Sequence, residues 1–231
     1  MKLQSGQRYI ALFDIDNTLY PGHVVTDFPK YLVEKGIVDK QIIEQQNADY
    51  EKYLHKTIGY EDLAQLWLNR MAISLRGIRL DLIYNHIDRF FNSDNLDYFF
   101  NVSRKLKSQK YDIYLISAEP QFVSQSLINK FQLKGELSTI FEIKNGVFSG
   151  KTIRLLSNRA AKQEVLSDLI KKYTHKRSLA FGDSIVDLEM LMLVETAICI
   201  NPSKELKEIA RDRKWKSITR ENLYKFVSDL I

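Results

Sequence analysis

Only one cysteine, Cys199, occurs in 231 residues, so no disulfide framework can form within the chain. It lies in the apolar run Thr196-Ala197-Ile198-Cys199-Ile200, which reads as a packed thiol in a reducing compartment. Long hydrophobic runs are also missing. The amino-terminal Met1-Lys2-Leu3-Gln4-Ser5-Gly6-Gln7-Arg8 is polar, and the apolar run after it is interrupted at Asp14. That pattern fits neither a signal peptide nor a membrane span, and a soluble, cytoplasmic protein is expected. There are no internal repeats, low-complexity tracts, zinc-finger spacings or recognisable RNA-binding motifs. The formal charge is +5, with lysine and arginine gathered in Lys171 to Arg177 and between Lys204 and Lys216. Without such motifs these runs read as solvated helix faces, and nucleic acid is not an expected partner.

What is present is a chain that is 45% hydrophobic, enough to bury a sizeable core as one domain or as a domain with an insert. Tyr9-Ile10-Ala11-Leu12 is a short apolar run ending in Phe13-Asp14-Ile15-Asp16-Asn17-Thr18-Leu19, the signature of a buried strand with carboxylates at its carboxyl end. After the turn signal Tyr20-Pro21-Gly22-His23, helical periodicity runs to about residue 109. Leu63, Leu66, Trp67 and Met71 share one face, as do Leu80, Ile83, Ile87, Phe90 and Phe91, with Gly36, Gly59 and Gly77 at the joints. No strand-like run interrupts residues 26–95, so residues 20–95 are expected to form a helical bundle inserted into a core of residues 1–19 and 96–231. From Leu96 onward helices alternate with short apolar runs at Asp112–Ser117, Ser178–Phe181, Ala197–Ile200 and Ser217–Ile218, and Asn145-Gly146 carries a hairpin signal. Such alternation predicts an α/β fold, a parallel sheet covered on both faces.

In open sheets of this kind the ligand site lies outside the carboxyl ends of the strands. Four polar points stand there. Asp14 and Asp16, with Thr18 beyond them, end the first strand; two such anions a few ångströms apart repel by roughly 4 kcal/mol, so they need a cation, a shared proton or a divergence of the chain. Ser117, followed by Ala118, Glu119 and Pro120, offers a hydroxyl beside the free N–H groups of a helix start, where an anion would sit, although a serine there also serves as an N-cap. Lys162 shares a helical stripe with Leu166, Leu169, Ile170 and Tyr173, and either snorkels to the rim or aims its charge into the cleft. Phe181-Gly182-Asp183-Ser184-Ile185-Val186-Asp187 puts Asp183 at a strand end and Asp187 on the otherwise apolar face of Met190, Leu191 and Val194, where an unpaired carboxylate would be costly. Several aspartates without a cysteine or histidine cluster favour a hard, oxygen-ligated ion; with phosphate chemistry that ion is Mg²⁺.

Taken together, Phe13 to Leu19, Ile116-Ser117, Lys162 and Gly182 to Asp187 resemble the haloacid-dehalogenase-like phosphatases, and more narrowly the phosphoserine-phosphatase-like branch. Phe148-Ser149-Gly150-Lys151 and Asn201-Pro202 are similar to that branch as well. The resemblance spans the chain in order. It implies a Rossmann-like doubly wound core with an inserted helical cap, and a Mg²⁺-dependent phosphomonoesterase. Asp14 would be the nucleophile and Asp16 the general acid and base. The metal would be held by Asp14, the Asp16 main-chain carbonyl and Asp183, supported by Asp187, Gly182 and Ser184. Ser117, Ala118 and Lys162 would bind the phosphoryl oxygens, and Thr18 would support the loop. The implied partner is a small phosphate ester, bound by a monomer or homodimer.

Phosphotransfer to an alcohol, or phosphate binding without catalysis, are the alternatives; the complete set of groups argues against the second, and aspartate at position 16 implies fast turnover of the phosphoenzyme, as in a phosphatase. The resemblance thins at the substrate. Phosphoserine phosphatases carry a glutamate seven residues after the general acid and an arginine in the cap. Here His23 stands at the first position, and near the second lie Trp67 and, slightly later, Arg70, so these three are the candidates for substrate specificity.

Overall fold

The computed structural model describes residues 8–91 and 96–231. Residues 1–7, most of the polar amino-terminal stretch, lie outside them, as does the expected cap boundary at residue 95. Strand β1 (Tyr9–Phe13) is buried along its whole length. It leads into four helices, α1 (Val24–Glu34), α2 (Gln41–Leu54), α3 (Tyr60–Ser74) and α4 (Leu80–Phe91), which form the cap. The core resumes with α5 (Tyr98–Ser108), β2 (Tyr111–Pro120), α6 (Gln121–Phe131), β3 (Gly135–Lys144) and β4 (Val147–Arg154). Then come α7 (Arg159–Ile170), β5 (Leu179–Gly182), α8 (Leu188–Met192), β6 (Thr196–Ile200), α9 (Lys204–Asp212), β7 (Lys216–Ile218) and α10 (Leu223–Leu230).

The seven strands are ordered β4-β3-β2-β1-β5-β6-β7. β1 pairs in parallel with β2 on one side and β5 on the other, so the chain leaves the sheet centre in one direction and returns on the opposite side. That reversal opens a crevice at the carboxyl end of β1. Only β4 runs antiparallel, at the edge. Side chains alternate across a strand, and the core divides accordingly. Tyr9, Ala11 and Phe13 pack with α5, α6, α10 and the cap, while Ile10 and Leu12 pack with α7, α8 and α9. Phe13 stacks on Phe181 at 4.1 Å and meets the edge of Phe99, which fixes the strand end just before Asp14.

Several elements depart from the sequence expectation. β2 continues past Ser117 to Pro120, with an irregularity in its pairing to β3 between Ile116 and Pro120. The stretch in which the sequence puts Asp187, Met190, Leu191 and Val194 on one helical face opens as a short 3₁₀ turn, Ile185–Asp187, and only then becomes α8. Asp187 folds back from this turn onto the N–H groups of Asp183 and Ser184.

The Asn145-Gly146 turn has both residues at positive φ (52° and 77°), the type I′ geometry a two-residue hairpin favours. Its tip is fastened to the α3–α4 joint by three backbone bonds: Gly77 N–H to Phe148 O, Leu80 N–H to Gly146 O and Phe148 N–H to Ile78 O, at 2.8–3.0 Å. The hairpin is thereby a strut that sets the height of the cap above the sheet. Within the core, the Tyr98 hydroxyl of α5 donates to Leu19 O at 2.7 Å, just before the chain enters the cap. No helix of the described residues is long and apolar enough to cross a membrane.

Candidate active site

Asp14 is the first residue beyond β1, and strand parity directs it to the side of Ile10 and Leu12, where α7 packs. Its N–H bonds Phe181 O at 3.0 Å, so the backbone is still registered against β5. Lys162 comes from the first turn of α7, which is capped by Asn158 accepting from Ala161 N–H. Its ammonium does not snorkel. It is 2% exposed and donates to Asp14 Oδ1 at 3.2 Å and Asp187 Oδ1 at 2.7 Å. Burial alone would lower its pKa, but the two carboxylates outweigh that and hold it above the ordinary lysine value.

Asp187 is fully buried and saturated. Oδ1 takes Lys162, and Oδ2 takes the N–H groups of Asp183 and Ser184 and the Ser184 hydroxyl. Gly182 is what permits this approach: a Cβ there would lie 2.6 Å from Asp187 Cβ. Carboxylate oxygens of Asp14, Asp183 and Asp187 fall within 4.8 Å of one another. Burial, then the charge of Asp187, pushes the Asp14 carboxyl well above the usual range. The same two causes push Asp183 up to about 9. One buried ammonium thus faces more negative charge than it can balance. Hard oxygen donors with unbalanced charge fit a divalent cation such as Mg²⁺. Because Asp187 has both oxygens engaged, Asp14 and Asp183 are the carboxylates with capacity left for it.

Asp16 does not share the face of Asp14. The chain turns after Ile15, whose carbonyl accepts from both Leu19 and Tyr20 N–H, and Asn17 adopts φ 53°. The turn carries Asp16 to the start of α1, where Oδ1 accepts from Val24 N–H at 3.1 Å and Oδ2 lies 3.5 Å from His23 Nδ1. Divergence of the chain therefore separates the two aspartates, and the Asp16 charge is left as a lesser cause of the raised Asp14 pKa, behind burial and Asp187. The hydrogen bond to Asp16, set against the lowering effect of burial, raises the His23 pKa.

The sequence reading passed over Glu119. It is 1% exposed, and Oε1 accepts from Val25 N–H at 2.9 Å. Burial and then the Asp16 charge push its carboxyl well above the usual range. Asp16 and Glu119 together satisfy consecutive N–H groups of α1, a capping role that the His23 side chain does not take. A buried acid before a proline gives no periodic signal, because its partner lies 94 residues away.

Ser117 is buried, with Oγ accepting from Glu119 N–H at 3.2 Å. Ser117, Ala118, Lys162, Asp14, Asp16 and Asp183 all line one small cavity. Asn17, Tyr60, Ala64 and Ser157 line it too; these were not among the expected site residues, and none stands at a strand end with a charge. Thr18 lies behind the cavity wall. It is fully buried, and its hydroxyl has no hydrogen-bond partner among the described residues. Its carbonyl accepts from Arg220 Nε at 3.2 Å.

His23 and Tyr60 also line a second, larger cavity of about 460 Å³ between α1, α2 and α3, and Trp67 forms part of its wall. Arg70 does not reach either cavity. Its guanidinium bonds Asp49 through Nε (3.0 Å) and Nη2 (3.3 Å), because Asp49 has no exposed surface and demands a cation.

Residues 11–192 match the haloacid dehalogenase-like hydrolase family. The chain belongs to that family. A phosphoserine phosphatase of Mycobacterium tuberculosis is 25% identical over 89% of the chain and 69% of its own length. A histidinol-phosphatase of Neisseria meningitidis is 24% identical over 89% of the chain and 96% of its own length. The same fold is found in a Bordetella pertussis protein of unknown function, with a TM-score of 0.77, 24% identity and coverage of 93% of this chain and 99% of that one. Within the family, the chain is similar to the phosphoserine-phosphatase-like branch and carries its Rossmann-like core and helical cap.

Proposed function

We propose that this family member is a Mg²⁺-dependent phosphomonoesterase that cleaves a small organic phosphate through an aspartyl-phosphate. The observation that carries this reading is the pairing of Asp14 with Lys162 in one cavity while Asp16 is held apart, on the cap side of the same cavity. Similarity to proteins named for phosphoserine and histidinol phosphate supports a phosphate monoester as the substrate class.

In this reading the Asp14 carboxylate attacks phosphorus in line, and the bond to the ester oxygen breaks. Asp16 gives its proton to the departing oxygen, so that an alcohol leaves. Asp16 then takes a proton from a water molecule that attacks the phosphorus, releasing phosphate and regenerating Asp14. The Lys162 ammonium and the Ser117 hydroxyl bind phosphoryl oxygens during transfer. Asp187 keeps Lys162 charged and aimed, and Glu119 fixes the start of α1 against which Asp16 rests. Asp14, Asp183 and the Asp16 main-chain carbonyl would hold Mg²⁺. When bound, the ion screens Asp14 from the anionic phosphate and stabilises charge on the transferring group.

Phosphoserine itself is a poor candidate. The position of the amine-binding glutamate is His23, and Arg70, which could have met a carboxylate, is bound to Asp49. The test is hydrolysis of p-nitrophenyl phosphate by the purified protein with Mg²⁺, abolished by EDTA and by Asp14→Asn. Wild-type-like activity in that variant would overturn the mechanism, and product analysis with added alcohols separates hydrolysis from transfer.

A further inference from the structure

The larger cavity has an unusual wall. His23 meets Trp67 at 6.3 Å, Trp67 meets Tyr50 at 6.1 Å, Tyr50 meets Tyr53 at 6.1 Å and Tyr53 meets Tyr60 at 6.2 Å, so five rings form a continuous series. All five line the cavity, with Ile43 and Leu63 completing its apolar surface. Helical periodicity alone would have sent these rings into the bundle core. Instead Tyr50 and Tyr60 are 43% and 37% exposed, and the space between the rings is open.

Two features fix what this space is for. First, His23 and Tyr60 border both cavities, so a group in the larger one is continuous with a phosphoryl group beside Asp14 and Lys162. Its volume, about 460 Å³, lies in the range of small-molecule sites, roughly 300–1,000 Å³. Second, three of its polar side chains are already engaged. The Trp67 indole N–H donates to Gln46 O at 3.1 Å, the Gln46 amide donates to Val25 O at 2.8 Å, and Lys30 is paired with Asp27 at 3.2 Å. No carboxylate is among the residues that line it.

Resting on the phosphomonoesterase reading, we infer that the alcohol half of the substrate carries an uncharged aryl or heteroaryl ring, seated among Trp67, Tyr50, Tyr53 and Tyr60. Ring faces and edges recognise another ring through offset and edge-to-face contact as well as through buried area. A cation could also meet these faces, but the carboxylates just behind the wall, Asp16 and Asp27, are already engaged by His23 and Lys30, whereas a neutral ring needs no counter-charge.

Calorimetry with non-hydrolysable phosphonates, in Mg²⁺, tests the class without turnover. 2-Phenylethylphosphonate should bind at least about tenfold more tightly than ethylphosphonate, from the area a ring buries. Tyr50→Ala, at an exposed position that folding tolerates, should lower that ratio several-fold, and Trp67→Phe should retain most of it. Equal affinity for the two phosphonates, binding of neither, or tighter binding of 2-(trimethylammonio)ethylphosphonate would each overturn the inference. Turnover of the corresponding phosphate esters is a separate readout. A preference for the aryl phosphonate without hydrolysis of any ester would remove the phosphatase reading and leave the ring site standing. Hydrolysis without an aryl preference would do the reverse.

Discussion

The two adjoining cavities are built on opposite principles. Around Asp14 the side chains are charged and mostly buried, with Lys162 bridging Asp14 and Asp187, and they stand at strand ends and helix starts of the core and at the start of α1. Around Trp67 they are aromatic, partly exposed and related mainly by ring contact, and they come from three helices of the cap. A reaction centre must place charge to within a fraction of an ångström, so every group there has its orientation fixed by another. A leaving-group site has only to exclude water and match a shape. The difference separates what the family's chemistry demands from what this chain's own substrate demands.

Substitutions should break the two sides in different ways. Asp16→Asn should lower kcat/KM, which reports ester cleavage and not the shared hydrolysis of the aspartyl-phosphate, by about 10²–10⁴-fold on an alkyl phosphate, the usual worth of a general acid. The loss should be smaller on p-nitrophenyl phosphate, because nitrophenolate leaves without needing a proton. Equal losses on the two substrates would remove Asp16 from the role of acid.

Lys162→Met leaves Asp14 and Asp187 buried without their shared cation, and should destabilise metal-free protein by about 3–5 kcal/mol. Denaturant unfolding in EDTA measures this, and Mg²⁺ should recover part of it. Gly182→Ala forces Asp187 away from the N–H groups of Asp183 and Ser184, which overpacking puts at about 1–3 kcal/mol, with a parallel fall in activity.

The smallest effect lies in the cap. Arg70→Ala leaves buried Asp49 with Lys52 as its partner, a loss of about 1–3 kcal/mol in unfolding free energy. It should not alter the ratio of aryl to alkyl phosphonate affinity, since Arg70 lines neither cavity. Burial raises the Asp49 pKa, but Arg70 and Lys52 outweigh it and hold the carboxyl below its ordinary value of 3.8. The stabilisation is therefore fully present above 3.8 and is lost as pH falls through the lower, folded-state value. Asp49→Asn should be less stable than wild type at neutral pH, and the gap should close in strong acid when both are followed by urea titration.

Much of the core was legible because its signals are local. The unbroken apolar run from Tyr9 to Phe13 announced a buried strand with Asp14 at its carboxyl end. Lys162 stood on an apolar helical stripe, and Asp187 on another, each an anomaly that a buried opposite charge resolves. The Asn145-Gly146 hairpin was equally plain from its turn chemistry. Legibility failed where a residue has no anomaly of its own. Glu119, Tyr60 and Ser157 look ordinary in sequence, and Arg70 looked available until a buried aspartate appeared beside it. Thr18 stood next to the site in sequence but behind the wall in space.

Spacing along a few turns or a single strand was enough to expect the alternation of helices and strands, a helical insertion after the first strand, and carboxylates and a lysine gathered at the strand ends. The tertiary structure decided the rest: that Lys162 bridges Asp14 and Asp187, that Asp16 leans on α1 beside Glu119, and that five rings surround an open space. These relations join segments as much as 148 residues apart. They depend on the order of strands in the sheet and the height of the cap above it, which short-range periodicity does not specify.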